Sequence, residues 1–325
     1  MTQPFVHLRA HSEYALVDGT VRIKALVQAT QSAGMPAVAI SDLNNLFGLV
    51  KFFKQALSAG IKPIVACDVW VEDQDPSAEP SILVLIALRQ SGYKALSRVL
   101  SKGYSENYHQ GRMVLRREWL REDGEGLLAL SAAADGDVGK AILAGQSDEA
   151  EARARYWQSM FPEGYYLELQ RLGRAVDEPH IAGALALSER LQIPVVATND
   201  VRFMAADEFE AHEVRVCIHQ SRTLDDPRRE KKYSEEQYFK TAAEMAGLFH
   251  DIPEAIENTL AIAQRCSVEL VLGQSFLPEY PVPEGQTMAG FLEQTALEGL
   301  QERFDLFPIE KKPASEDWQQ HYFDR

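Results

Sequence analysis

The chain has 325 residues, 46% hydrophobic and 25% charged, which suits a globular protein with one large domain of roughly 250 residues and an appendage, or two smaller domains. Its formal net charge of −15 sets the surface as a whole against a phosphate backbone, so no direct DNA binding through overall charge is expected. No stretch approaches the ~18 apolar residues that a membrane span needs, and Cys67, Cys217 and Cys266 form no CxxC pair, as free thiols of a reducing, cytoplasmic compartment would.

The N-terminus, MTQPFVHLRAHS, has no basic and apolar regions of a secretory signal. From there, short apolar or β-branched runs alternate with longer amphipathic stretches. A strand is predicted over 4–9, a helix over 21–33, a strand over 36–41, a helix over 47–59 and a strand over 62–70. Strands over 82–88, 126–131, 164–169 and 194–199 follow, interleaved with helices over 91–102, 137–144, 148–160 and 177–191. Continuous apolar runs such as PAVAI suit strands covered on both faces. About seven β–α units in succession predict a closed or nearly closed α/β barrel, with a doubly wound open sheet as the alternative. No GxGxxG or GxxxxGK[ST] follows a strand, so a nucleotide-binding open sheet has no support.

After residue 205 helices dominate, predicted over 206–219, 235–249 and 252–266, the last with Pro253 in its first turn. The segment QSFLPEYPVPEGQT (274–287), with three prolines, reads as a linker before another helix over 288–304. The final stretch, FPIEKKPASEDWQQHYFDR, is polar. The dense basic run Arg228-Arg229-Glu230-Lys231-Lys232 reads as a solvated loop, with a local phosphate or partner contact as the alternative.

Barrel enzymes carry their chemistry on the loops after the strands. Those positions here hold His11, Glu13 and Asp18, then Asp42, then Asp68, then Glu168 and Gln170, then Asn199 and Asp200. Carboxylates at the ends of five strands would converge on one mouth, where like charges repel unless cations neutralise them. Divalent metals would serve, and so would Arg9 and Arg202. Asp42 and Asp200 also suit loop or helix caps, Asp68 and Glu168 also suit ion pairs with arginine, and His7 also suits a packing role at the barrel floor. His109, His180, His212, His219, His250 and His321 show no ligand-like spacing, and Ser12 has no histidine partner for nucleophilic work.

The segments HLRAHSEYALVDG, AISDLNNLFGLVKFF, GIKPIVACDVWV, PVVATNDVRFM and IPEAIENTLAIAQRC closely resemble the N-terminal region of the bacterial DNA polymerase III α subunits. That region is a polymerase and histidinol phosphatase (PHP) domain. The resemblance implies an α/β fold, a distorted seven-stranded (β/α)7 barrel with a helical C-terminal extension. It places the PHP domain at residues 1–275, and at 276–325 a linker and the start of a truncated polymerase core. Family members with a full metal site place histidines at four positions that here read Arg9, Leu43, Ile82 and Arg202, among the retained His11, Asp42, Asp68 and Asp200.

Leucine and isoleucine offer no lone pair, and protonated arginine cannot ligate. The resemblance therefore implies a degenerate site of Arg9, His11, Asp18, Asp42, Leu43, Asp68, Ile82, Glu168, Asp200 and Arg202. No catalytic residue and no firm cofactor are expected. At most one weakly held Mg²⁺ or Mn²⁺ would sit among His11, Asp18, Asp42, Asp68 and Asp200. It further implies a structural role in bacterial DNA replication. The domain would support the polymerase core, the remainder of the α subunit, and dock the proofreading exonuclease (ε) subunit. The alternative is a residual metal-dependent phosphoesterase acting as a pyrophosphatase or 3′-5′ exonuclease; a free-standing histidinol-phosphatase-like enzyme fits the missing histidines poorly. The family's full-length members are DNA-directed DNA polymerases, nucleotidyltransferases that use Mg²⁺. Their palm carries an Asp-x-Asp motif, and no such acidic motif on a palm-like strand appears here, so this stretch alone is not expected to polymerise.

Overall fold

The computed structural model describes residues 4–75, 78–109, 111–275, 277–278, 280–306 and 318–323. Most of the final polar stretch therefore lies outside the described residues. Six strands form one sheet: β1 (Ala37–Ile40), β2 (Lys62–Val71), β3 (Ser81–Ala87), β6 (Leu127–Leu130), β7 (Tyr165–Leu169) and β8 (Val195–Ala197), hydrogen-bonded in that order. A small separate hairpin joins β4 (Tyr108–His109) to β5 (Arg112–Met113). The helices of this region are α1 (Ile23–Ser32), α2 (Leu49–Ser58), α3 (Gln90–Glu106), α4 (Arg117–Asp123), α5 (Asp137–Leu143), α6 (Ser147–Met160) and α7 (Asp177–Leu191). After β8 come α8 (Phe209–Gln220), α9 (Ala242–Leu248) and α10 (Pro253–Arg265), then α11 (Met288–Asp305) and α12 (Trp318–Phe323). Residues 1–270 form one compact unit and residues 271–325 a second.

Three features depart from the sequence expectations. Residues 4–9 form no ladder; single bridges join His7 to Val38 and Ala10 to Val201. Backbone bonds from Ala39 N to His7 O (2.8 Å) and from His11 N to Val201 O (2.8 Å) tie this segment to β1 on one side and to the chain beyond β8 on the other. The N-terminal segment thus links the two margins of the curled sheet without forming a regular strand. Next, β3 runs antiparallel to both β2 and β6, whereas β1–β2, β6–β7 and β7–β8 are parallel. No described helix separates β2 from β3, so the chain turns back instead of crossing over. Finally, the helix predicted over 235–249 begins only at Ala242, where Thr241 and Glu244 form a reciprocal capping box; before it the chain makes a turn, closed by Gln237 N to Ser234 O at 3.3 Å, and Tyr238 bridges to Phe203.

The period of two along each strand positions the site. Ile64 and Ala66 on β2, Ile82, Val84 and Ile86 on β3, Leu128 and Leu130 on β6, and Val196 on β8 belong to one interior cluster. Asp68 is in phase with Ile64 and Ala66, and Glu168 with Tyr166 of the same cluster, so both carboxylates face the barrel interior at its rim. The outward residues pack under the helices in a second, larger cluster. Helix α10 closes the opposite end. Thr259 Oγ1 accepts from Val6 N at 3.1 Å, Asn258 Nδ2 donates to Val195 O at 2.8 Å, and Ile262, Ala263 and Cys266 join the interior cluster.

Candidate metal centre

Arg9 lies at the middle of the rim and is 1% exposed. Its Nε and Nη2 both donate to Asp68 Oδ2, at 2.9 and 2.7 Å, and Nη1 donates to Glu168 Oε1 at 3.2 Å. Nε is also 3.4 Å from Asp200 Oδ1. Burial opposes the charge on Arg9, but Asp68, Asp200 and Glu168 outweigh it and hold the guanidinium pKa well above its ordinary value.

His11, fully buried, meets Asp200 Oδ1 through Nε2 at 2.8 Å and lies 3.5 Å from Asp68 Oδ2. Asp200 occupies the left-handed region with φ of 43°, which aspartate tolerates better than most residues. Its Oδ1 also accepts from Arg202 Nη2 at 3.0 Å, and Oδ2 from Gln237 Nε2 at 2.7 Å. Burial alone would raise this carboxyl; Arg202, Arg9 and His11 instead hold it well below the usual carboxylate range.

Arg202 bridges Asp200 to Asp18, whose Oδ2 is 2.7 Å from Arg202 Nη1 and accepts from Tyr233 OH at 2.6 Å. Burial pushes Asp18 up, but Arg202, His11 and the Tyr233 hydroxyl prevail and lower it. The Arg202 guanidinium lies 5.3 Å from the Tyr233 ring centroid, and His212 Nε2 donates to Asp18 O at 2.9 Å. Tyr233, Gln237 and His212 complete the wall. Nothing in the sequence marks the first two, because they sit in a segment of turn and single bridge with no motif.

The other expected residues lie near but do not all converge. Asp42 is engaged by Ser12, whose N and Oγ both donate to it at 2.6 Å, and burial raises its pKa. Glu168 accepts from Gln170 Nε2 at 2.8 Å and from the Thr198 hydroxyl; burial raises it more than Arg9 lowers it. Leu43 bridges to Asp68 through its backbone and packs, with Ile82, in the interior cluster. Asn199 Nδ2 is spent on the Glu236 and Tyr238 carbonyls, and Glu13 pairs outward with Lys51 at 2.7 Å. His7 sits between Phe5 and Phe239, and Nε2 donates to Lys240 O at 2.8 Å, as a packing role requires. In the basic run, Arg228 pairs with Asp226 and Arg229 with Glu213.

His11, Asp68 and Asp200 each present a ligand atom, all within 4.8 Å of one another. Asp18 Oδ1, Asp68 Oδ1 and Glu168 Oε2 are buried with no hydrogen-bond partner among the described residues. An arrangement of this kind accommodates a hard cation through the free oxygens. The oxygens Asp68 Oδ2 and Asp200 Oδ1, however, are already bound by guanidinium.

Residues 7–172 match the PHP domain family. The DNA polymerase III subunit alpha of Pseudomonas aeruginosa is 48% identical over all of this chain and 28% of its own length. The subunit of the same name from Pasteurella multocida is 46% identical over 96% of this chain and 27% of its own, and that of Escherichia coli K12 44% over 96% and 27%. The chain thus spans little more than a quarter of the curated relatives it matches. An amidohydrolase from Chromobacterium violaceum aligns with 13% identity and a TM-score of 0.44, over 65% of this chain and 96% of that one. No helix among the described residues is long and apolar enough to cross a membrane. By its match over half its length, the chain belongs to the PHP domain family.

Proposed function

We propose that this chain serves as the PHP portion of a bacterial DNA polymerase III α subunit, in the cytoplasm, where it supports the polymerase core and docks the proofreading exonuclease (ε) subunit. Residues 1–275 would be the PHP domain and 276–325 the linker and start of the core. The observation that carries the structural role is Arg9, whose guanidinium lies 2.7 Å from Asp68, 3.2 Å from Glu168 and 3.4 Å from Asp200. Fixed positive charge stands among the acids that a multinuclear metal centre would need, and Arg202 does the same between Asp18 and Asp200. A protonated guanidinium neither ligates nor activates water, so the site is degenerate for phosphoester hydrolysis and catalytic residues are absent from it.

A second reading rests on the unpartnered Asp18, Asp68 and Glu168 oxygens. With His11 they could hold one weak Mg²⁺ or Mn²⁺, which would supply electrostatic support or residual phosphoesterase activity as a pyrophosphatase or 3′-5′ exonuclease. Hydrolysis of pyrophosphate and of p-nitrophenyl phosphate with Mn²⁺ or Mg²⁺ separates the two. The structural reading expects no turnover above an Asp200→Ala control; metal-dependent turnover abolished by that substitution would favour the enzyme. Capture of the ε subunit by the purified chain tests the docking role, and failure where the full α subunit succeeds would count against this surface.

A further inference from the structure

The charge of the chain is unevenly placed. Residues 89–121, spanning α3, the β4–β5 hairpin and most of α4, hold eight arginines and lysines against two glutamates, a local balance of +6 in a chain of −15. Lys94, Arg98 and Lys102 follow one another at four-residue steps along α3 and share its outer face. Beyond them come two exposed aromatic rings. Tyr104 and Tyr108 are 45% and 50% exposed, with ring centroids 5.7 Å apart and planes tilted by 33°. In the hairpin Arg112 stands opposite His109 and lies 5.1 Å from the Trp70 ring.

Of the eight, Arg89, Lys102, Arg112, Arg116 and Arg117 have carboxylate neighbours among the described residues, and Arg98 is also engaged. Lys102 is 3.3 Å from Glu122 and Arg112 is 3.2 Å from Glu79, but those glutamates are 64% and 86% exposed. Pairs this open contribute about 1 kcal/mol or less, so exchanging them for a phosphate costs little.

We propose that the α3–hairpin face binds single-stranded nucleic acid without sequence preference. The lysine and arginine stripe follows the sugar–phosphate backbone, and the Tyr104–Tyr108 pair offers π-faces on which successive unpaired bases stack. An acidic protein would match the cations yet leave two half-exposed phenol rings without flat partners. A duplex would likewise present phosphates but no free base faces. None of these residues belongs to the rim around Arg9, so the inference stands apart from the function proposed for that site.

The test is fluorescence anisotropy of a labelled oligothymidylate of about 20 nucleotides with the full chain, at salt from about 50 to 200 mM. Binding is expected at low salt and should weaken with a log–log slope of about −0.7 for each phosphate neutralised. Lys94→Glu with Lys102→Glu should cut affinity about tenfold or more and flatten that slope. Tyr104→Ala with Tyr108→Ala should cut affinity about tenfold while leaving the slope unchanged. Lys24→Glu with Lys54→Glu, on α1 and α2, should change nothing, and far-ultraviolet circular dichroism establishes that each variant is folded. No binding at low salt would overturn the proposal. So would binding that survives the tyrosine substitutions and is competed equally by inorganic polyphosphate, which has no bases, or a preference for duplex over single strand.

Discussion

Arg9 places two of its guanidinium nitrogens, Nε at 2.9 Å and Nη2 at 2.7 Å, on a single oxygen of Asp68. Both side chains are about 1% exposed, so the pair is taken out of water almost completely. A buried pair of this kind adds little net stability relative to an apolar replacement of both partners, but losing one partner is costly. Arg9→Ala strands Asp68, Glu168 and Asp200 together and should lower the unfolding free energy by about 3–5 kcal/mol in urea titrations. Millimolar Mn²⁺ should recover part of the loss in that variant and have little effect on the wild type. A variant as stable as wild type without metal would show that the guanidinium is not the rim's principal counter-charge.

Tyr233 couples the segment before α9 to the rim by donating to Asp18 at 2.6 Å. Tyr233→Phe keeps the ring near Arg202 and removes only the hydroxyl, so the expected cost is about 1–2 kcal/mol. With Arg202→Ala the two losses should not add, because both residues act on the same carboxylate. Additive changes in a double-mutant cycle would contradict the coupling.

Two buried histidines set a pH dependence of stability. Burial lowers both His7 and His180 from 6.5 to about 4. A folded-state pKa below the unfolded value means that the unfolded chain takes up the proton first as pH falls. Their contribution is therefore complete above pH 6.5 and declines as pH drops toward 4. Each site accounts for at most about 3 kcal/mol over that window. Urea midpoints recorded across it should fall with pH, and His7→Gln should make the decline shallower. An unchanged slope in that variant would remove His7 from the account.

The strands over 36–41, 62–70, 82–88, 126–131, 164–169 and 194–199 were legible because a run buried on both faces, such as ILVLIAL, has almost no other way to hide its side chains. The rim acids were legible for the opposite reason: Asp68 and Glu168 interrupt apolar strands where a buried charge needs a partner, and both find it in Arg9. The antiparallel direction of β3 was not, since periodicity carries no direction and the loop before it carries no distinctive motif. The first segment read as a strand because PFVHLR is apolar, yet its hydrogen bonds go alternately to β1 and to the chain near Val201, leaving bridges in place of a ladder. Gln237 was invisible because SEEQYFK is amphipathic enough to pass for helix, and only tertiary contacts hold it as a turn and a single bridge against the rim; Tyr233 stands just before that stretch, where no motif marks it.

The central claim is that a guanidinium stands where a cation would otherwise neutralise the rim. Anomalous diffraction from crystals soaked in Mn²⁺ measures this directly. The account predicts Arg9 in contact with both Asp68 and Glu168, and at most one weak, partly occupied peak beside the free oxygens of Asp18, Asp68 or Glu168. Strong peaks for two or more ions bound by His11, Asp68 and Asp200, with Arg9 displaced from them, would contradict it.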